Sequence, residues 1–330
     1  MRRVSWGIIS TANIGRAAVI PAIQSSRNGE VLALASRDAQ KVREYASKMN
    51  IPQAYSSYEA LLASKEIDAV YVPLPNSLHH KWSIKSVEAG KHVLCEKPLA
   101  LNPAECIEMD EAAKKNGLKM MEAFMYRFHP RTMKVLDLAR SSAIGKLRLI
   151  HASFTFRVSD PANNIRFKAE LGGGALMDVG CYCVNICCMI AAAEPTQVQA
   201  VASWGITGVD ESLAGTIQFS NGVLGQFDCS LITERREVYT VAGSEGYIEV
   251  PAAFLPGERE TQIFERHGRG EEFAHSIPGA NQYRLMVEHF SDCVLNDLPV
   301  RYDIAEATAN MRVIEALYRS ARLNGQPQSC

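Results

Sequence analysis

Between residues 4 and 122, short apolar, β-branched runs alternate with amphipathic stretches of helical period, and this alternation restricts the fold more than any other feature. Strands are expected over 4–9, 31–35, 69–72, 92–95 and 119–122, with helices over 14–25, 38–49, 77–89 and 103–115 between them. Asn76 or Ser77 is placed as the cap of the third helix. Asn102, followed by Pro103 in the first turn, opens the fourth, which stops at Gly117. Strand–helix alternation at this pitch gives an α/β domain, a parallel sheet wrapped by helices.

After residue 125 the pattern changes. A helix over 130–140 precedes a strand over 146–158, the run Gly172-Gly173-Gly174, and a helix over 178–192. Strands then follow without helices between them, over 197–206, 212–220, 222–231, 236–243 and 246–250, with Asn221-Gly222 as a hairpin turn. Consecutive strands of this kind form an antiparallel sheet. The Gly/Glu/Arg-rich stretch 256–272 reads as a surface loop, and helices over 281–295 and 304–323 close the chain. A length of 330 residues exceeds what one core fills. The expected division is 1–125 and 126–330, the last helix being allowed to pack back on the first domain.

Net charge is −1 with no basic stripe, which excludes a nucleic-acid partner. The longest apolar run, 179–193, contains cysteines and an asparagine and reads as falling short of a membrane span. The apolar stretch after Arg2 and Arg3 is too short for a signal peptide, so a cytoplasmic location is the default. Nine cysteines lack disulfide-like spacing. Cys181, Cys183, Cys187 and Cys188 cluster, but without a second ligand pair or a nearby histidine they read as helix packing, and no metal is expected.

The first strand leads into Ser10-Thr11-Ala12-Asn13-Ile14-Gly15, where the dinucleotide fingerprint G-x-G-x-x-G has Ser10, Ala12 and Gly15 in its three glycine positions. One glycine of three also suits a plain tight turn. Small residues at a helix N-terminus still let backbone amides approach a pyrophosphate. The second strand ends in Ser36-Arg37-Asp38. Arg37 stands where an acidic residue would read a ribose hydroxyl, and its guanidinium suits a 2′-phosphate. NADP(H) is therefore preferred, with NAD(H) possible and a solvated Arg37 as the plain alternative; Asp38 reads as a helix cap.

Two further strand ends carry Pro73-Leu74-Pro75-Asn76-Ser77-Leu78-His79-His80 and Glu96-Lys97-Pro98. Ligands of parallel sheets sit beyond such carboxyl ends. With Gly174-Ala-Leu-Met-Asp178-Val-Gly-Cys-Tyr182, these motifs resemble, in order and over essentially the whole chain, the glucose–fructose oxidoreductase/inositol dehydrogenase (Gfo/Idh/MocA) family. Within it the chain looks most like the branch of NADP-dependent xylose dehydrogenase and dimeric dihydrodiol dehydrogenase, which has tyrosine at the position of Tyr182. The resemblance implies a Rossmann-type parallel-sheet domain followed by an α+β domain with a large, mainly antiparallel open sheet. It also implies hydride transfer between NADP(H) and a hydroxyl or carbonyl carbon of a sugar, polyol or dihydrodiol.

In that reading Tyr182 is the general acid/base. A free tyrosine titrates near 10, and Lys97 is the cation that favours its phenolate. Asp178, one turn before Tyr182, orients the substrate or Lys97. Leu74, Asn76, His79, Glu96, Lys97 and Arg127 line the cofactor with residues 10–14, 36 and 37, Lys97 bonding the nicotinamide ribose or the substrate hydroxyl. Phe154, Phe156, Asp160 and Arg166 are candidates for the sugar pocket. His80 reads as facing solvent or the following helix, His129 and His151 as structural. Competing readings are a nucleotide-sugar ketoreductase and a non-catalytic cofactor-binding regulator, which would need no base. A homodimer or tetramer is expected through the open sheet.

Overall fold

The computed structural model describes residues 2–141 and 143–330. They divide into two compact units, one of residues 1–125 and 281–308, the other of 126–280 and 309–330.

The first unit is built on a six-stranded parallel sheet in the order β3-β2-β1-β4-β5-β6. The strands are β1 (Val4–Ile9), β2 (Gly29–Ala35), β3 (Gln53–Tyr55), β4 (Ala69–Val72), β5 (His92–Cys95) and β6 (Met120–Glu122). Every residue of β4 is buried, as expected of a strand covered on both faces. The helices are α1 (Ile20–Gln24), α2 (Ala39–Lys48), α3 (Tyr58–Leu62), α4 (His79–Glu88) and α5 (Pro103–Lys115). Asp38 caps α2, accepting from the amides of Gln40 and Lys41, and Asn102 caps α5. Neither Asn76 nor Ser77 caps α4. Residues 76–78 form a short 3₁₀ turn, and α4 begins at His79 without a side-chain cap. The helix expected over 14–25 is also divided. Gly15–Val19 is a π turn in which Ile20 N–H reaches back to Gly15 O, just ahead of Pro21, which has no N–H to continue an α ladder.

Residues 281–308, grouped with the second domain on sequence, belong to the first unit. The indole of Trp6 on β1 packs at 5.5 Å from Phe290 and donates to Ser291 Oγ, both on α8 (Gln282–Asn296). Arg27 pairs with Asp292 and Glu288 of the same helix.

The second unit holds α6 (Pro130–Arg140), β7 (Leu147–Arg157), α7 (Cys181–Ala191) and β8 (Pro195–Trp204). There follow β9 (Asp210–Phe219), β10 (Leu224–Ser230), β11 (Ile232–Gly243), β12 (Gly246–Pro251), β13 (Thr261–His267) and β14 (Glu271–Ile277). The last helix, α9 (Ile304–Arg322), and a short β15 (Gln328–Ser329) end the chain. The nine strands run in the order β14-β13-β12-β11-β7-β10-β9-β8-β15. The sheet is antiparallel except where β10 lies parallel to β7, because the chain crosses over through α7 between them. Asn221-Gly222 turns β9 into β10, with Gly222 at φ +81°.

The stretch 256–272 is a loop only over 256–260; residues 261–267 form β13, which turns at 268–270 into β14. Three of its charged residues are tied into the sheet: Arg266 bonds Glu249 at 2.7 Å and Glu272 at 2.6 Å on the neighbouring strands, while Glu265 pairs with His267 on its own strand and His275 across. Ile263 meanwhile faces the core. The segment 169–191 is long and apolar enough to cross a membrane by composition, beyond what the sequence reading allowed, yet 83% of its apolar 18-residue window is buried in the protein. Cys181, Cys183 and Cys187 are core residues and Cys188 is half-buried; burial pushes the thiols of Cys183 and Cys187 well up and that of Cys188 to about 12.

Candidate active site

In the first unit, strand order reverses direction between β1 and β4, and the loops after β1, β4 and β5 leave the carboxyl edge where such sheets take ligands. Ser10, just after β1, has φ +105°, a conformation glycine enters freely and other residues rarely adopt. It thus has the backbone of the fingerprint's first glycine while keeping a hydroxyl, which accepts from Ala12 N–H at 3.0 Å and lies 3.3 Å from Pro73 O. Thr11 is buried and its carbonyl accepts from Arg16; Asn13 is exposed and Ile14 half-buried. At Gly15 a methyl group would meet only ordinary contacts, the nearest 3.6 Å away on Pro73, so neither packing nor φ demands the glycine.

At the β2 tip Ser36 is buried, its hydroxyl accepting from Asp38 N–H. Arg37 is exposed and engages the Tyr58 hydroxyl; burial pushes that phenol up and Arg37 pulls it back.

The loop carrying Lys97 is anchored residue by residue. Glu96 accepts from the buried Tyr71 hydroxyl of β4, whose pKa burial and then Glu96 drive well up. The Lys97–Pro98 peptide is cis. Leu99 N–H donates to buried Glu122 at 2.7 Å, from the end of β6. His79 ties this loop to the preceding one, with Nδ1 2.8 Å from Pro98 O and Nε2 2.8 Å from Leu74 O. Two carbonyl acceptors favour an imidazolium, but complete burial outweighs them and, with Lys97 nearby, lowers the pKa to about 4. His79 thus stands behind the loops as a neutral imidazole whose one N–H donates to one of these two carbonyls. Leu74 is buried, Asn76 half-buried, and Arg127 buried on the turn Met125–Phe128. His80 pairs with Glu108 at the surface; His129 caps α6, accepting from Arg131 N–H.

In the second unit the structure brings Asp178, Arg166 and Phe156 together. Arg166 Nε lies 2.5 Å from Asp178 Oδ2, and its guanidinium sits 5.5 Å from the Phe156 ring. Asp178 lies on a π turn, Leu176–Gly180, that opens α7. Tyr182, in the first turn of α7, is ringed by Tyr126, Phe154 and Phe254 with centroids at 5.8, 5.4 and 5.3 Å. Tyr126 is itself fixed by a bond from its hydroxyl to Asn185. Phe154 therefore braces the Tyr182 ring. Asp160 is apart from this group, in an exposed turn where it accepts from Asn163. Sequence reading missed Tyr71, Glu122 and Phe254. Glu122, an acid closing an otherwise apolar strand, was the one readable signal.

Residues 4–124 match the Gfo/Idh/MocA oxidoreductase family with its NAD-binding Rossmann fold, and residues 132–249 match the C-terminal domain of the same family. The chain is 36% identical over 316 residues to D-xylose 1-dehydrogenase (NADP(+)) 2 of Haloferax volcanii, covering 96% of this chain and 97% of that one. It is 35% identical over 305 residues to trans-1,2-dihydrobenzene-1,2-diol dehydrogenase of Xenopus laevis, covering 89% and 90%. A 3-ketoreductase from Actinomadura kijaniata, solved with NADP and TDP-benzene, superposes with a TM-score of 0.92 at 27% identity over 97% of this chain and 98% of that one. The Ser10 turn, the anchored Glu96-Lys97-Pro98 loop and these matches agree: the chain belongs to the Gfo/Idh/MocA family and is an oxidoreductase with an NAD-binding Rossmann domain.

Proposed function

We propose that the protein is an NADP(H)-dependent oxidoreductase acting on a hydroxyl or carbonyl carbon of a sugar or dihydrodiol, with Tyr182 as general acid/base and Lys97 assisting it. The observation that carries the reading is the anchoring of the Lys97 loop. Three buried side chains, Tyr71, His79 and Glu122, hold Glu96, Pro98 and Leu99 around one lysine at a parallel-strand end. Such investment of buried polar groups around one lysine is the preorganisation expected of chemistry. The relatives named for D-xylose and for trans-dihydrodiol support the substrate class.

The dinucleotide suits the residues present. Ser10 through Ile14 would present backbone amides to its pyrophosphate, the unforced Gly15 would leave space at the helix start, and Ser36 and Arg37 would take a 2′-phosphate. When bound, the nicotinamide supplies the acceptor or donor of hydride. In the oxidising direction Tyr182 takes the substrate hydroxyl proton as the C–H bond gives up hydride and the C–O bond becomes a carbonyl. The ammonium of Lys97 favours the phenolate form of Tyr182. Arg166, held by Asp178, would hydrogen-bond a neighbouring substrate hydroxyl. Reduction of a keto group on a nucleotide sugar is the second reading, favoured by the backbone match to the 3-ketoreductase. We also place the enzyme in the cytoplasm as a homodimer or tetramer, joined through the open sheet face that carries Leu149, Val201 and Leu224.

The test follows reduced-nicotinamide absorbance with D-xylose, other aldoses, polyols and trans-1,2-dihydrobenzene-1,2-diol, each with NADP⁺ and NAD⁺. Turnover faster with NADP⁺, and reduced about 10²-fold or more in Tyr182→Phe, is expected. A Tyr182→Phe protein as active as the native one would refute the assignment of the base.

A further inference from the structure

The helix that carries Tyr182 has no cap of its own. Ala175 precedes the π turn Leu176–Gly180 and offers no side-chain acceptor to its free amides. The acceptor comes from another part of the chain. Asp210, at the start of β9 and 1% exposed, accepts from Leu176 N–H at 2.7 Å through Oδ2 and from the Tyr318 hydroxyl of α9 at 2.8 Å through Oδ1. The nearby Ala175 amide also favours its anion. The glycine before this turn is shaped to the same carboxylate. Gly174 has φ +120°, and a methyl group there would stand 2.1 Å from Asp210 Oδ1 and 2.9 Å from the Tyr318 oxygen. Gly174 O in turn receives Asp178 N–H at 3.0 Å. One buried carboxylate therefore sets where the turn begins, with Asp178 two residues and Tyr182 six residues further on.

We infer that Asp210 is a positioning residue for the reaction proposed above: by capping the turn at Leu176 from β9, it fixes the placement of Asp178 and Tyr182. This rests on the reading of Tyr182 as the base. The cap is strongest as the anion, because a carboxylate offers an acceptor oxygen to each of the two donors whereas a carboxylic acid must turn one oxygen into a donor. Burial raises the Asp210 pKa to about 6, against the pull of the Leu176 amide, Tyr318 and the Ala175 amide. The titratable groups facing it, Tyr318 from α9 and Cys229 from β10, are both pushed well up by burial and stay neutral at that pH. Protonation of Asp210 should thus loosen the turn as pH falls through about 6.

The experiment compares the full-length native protein with Asp210→Ala, Asp210→Asn, Tyr318→Phe and Tyr182→Phe. D-xylose and trans-1,2-dihydrobenzene-1,2-diol serve as probes with NADP⁺, and amide hydrogen exchange is measured over 175–182. Asp210→Ala is expected to lower kcat about 10²-fold through misplacement of the base. NADP⁺ affinity should stay within about twofold, and exchange should be faster at Ala175 and Leu176. Asp210→Asn, which keeps one acceptor for Leu176, should recover part of kcat and lose the acid limb near pH 6. Tyr318→Phe removes one bond to the anion, so the limb should move to higher pH. Should Asp210→Ala not fold, the limbs of the other two variants decide. Unchanged kcat in Asp210→Ala, unchanged exchange at 175–176, or a limb that persists in Asp210→Asn would each overturn the inference. Full activity in Tyr182→Phe refutes the reading it rests on, while the exchange result still reports on the carboxylate alone.

Discussion

Replacing Arg131 with methionine removes a charge that is 1% exposed and holds four acceptors. Nη1 donates to Pro251 O at 2.8 Å and Thr261 Oγ1 at 3.0 Å; Nη2 donates to Ala252 O and Ala253 O, both at 2.7 Å. The guanidinium thereby closes the end of β12 and the entry to β13. Burial lowers its pKa, Tyr239 and Glu237 oppose that, and the cation survives on carbonyl dipoles. Methionine matches the stem but leaves three backbone carbonyls without this donor, at about 1–3 kcal/mol each. Relief of the buried charge returns several kcal/mol of that total. We expect a net loss near 3 kcal/mol. At about 2–4 °C per kcal/mol, the calorimetric transition of the second unit should fall by roughly 6–12 °C, with exchange accelerating over 246–267. Arg131→Lys should fall between, since an ammonium cannot span both pairs of acceptors. A loss below about 1 kcal/mol in Arg131→Met, or native stability in Arg131→Lys, would show that the fork is not what holds this corner.

Removing the side chain of Arg37 should cost NADP⁺ affinity about 10- to 100-fold, the worth of a charge-assisted bond to phosphate, and leave NAD⁺ nearly unchanged; titration with both dinucleotides checks this. Acid should destabilise the fold between about pH 6.5 and 4. Buried His79 and His129 both drop to about 4, so the unfolded chain binds more protons in that window. Each contributes stability present above 6.5 and lost on acidification, roughly 3 kcal/mol. Asp210 works the other way. Raised to about 6, it favours folding below 3.8 and gives that up as pH rises through 6. Urea midpoints at pH 7 and 4.5 should differ in favour of pH 7, and His129→Asn should narrow the gap; an equal or higher midpoint at pH 4.5 would refute the balance.

What the sequence disclosed follows from which features are local. Strands β1, β4 and β5 are nearly unbroken apolar runs, and the caps Asp38 and Asn102 act within three residues of themselves. The edge strand β3 has no such run, and β13 and β14 are masked by charges that only pairing explains. The amphipathic pattern of α8 announces a buried face without naming Trp6 as its partner. Lys97 was legible because proline follows it at a strand end. Its anchors were not: Tyr71 and His79 look like ordinary residues of a strand and a helix start until the sheet brings their loops side by side. The same holds for Asp210, which reads as one more acid in a Val-Asp-Glu sequence.

The pairing of Trp6 with Ser291 has a consequence for synthesis. Its two partners lie 285 residues apart, so the first unit lacks α8 until residues 126–280 have left the ribosome. Domains usually finish in the order they emerge. Here the apolar flank of β1 that α8 will cover must wait while residues 126–280 are made and begin their own sheet. Contacts of such long range slow folding and leave an incomplete surface open to chaperones in the interval.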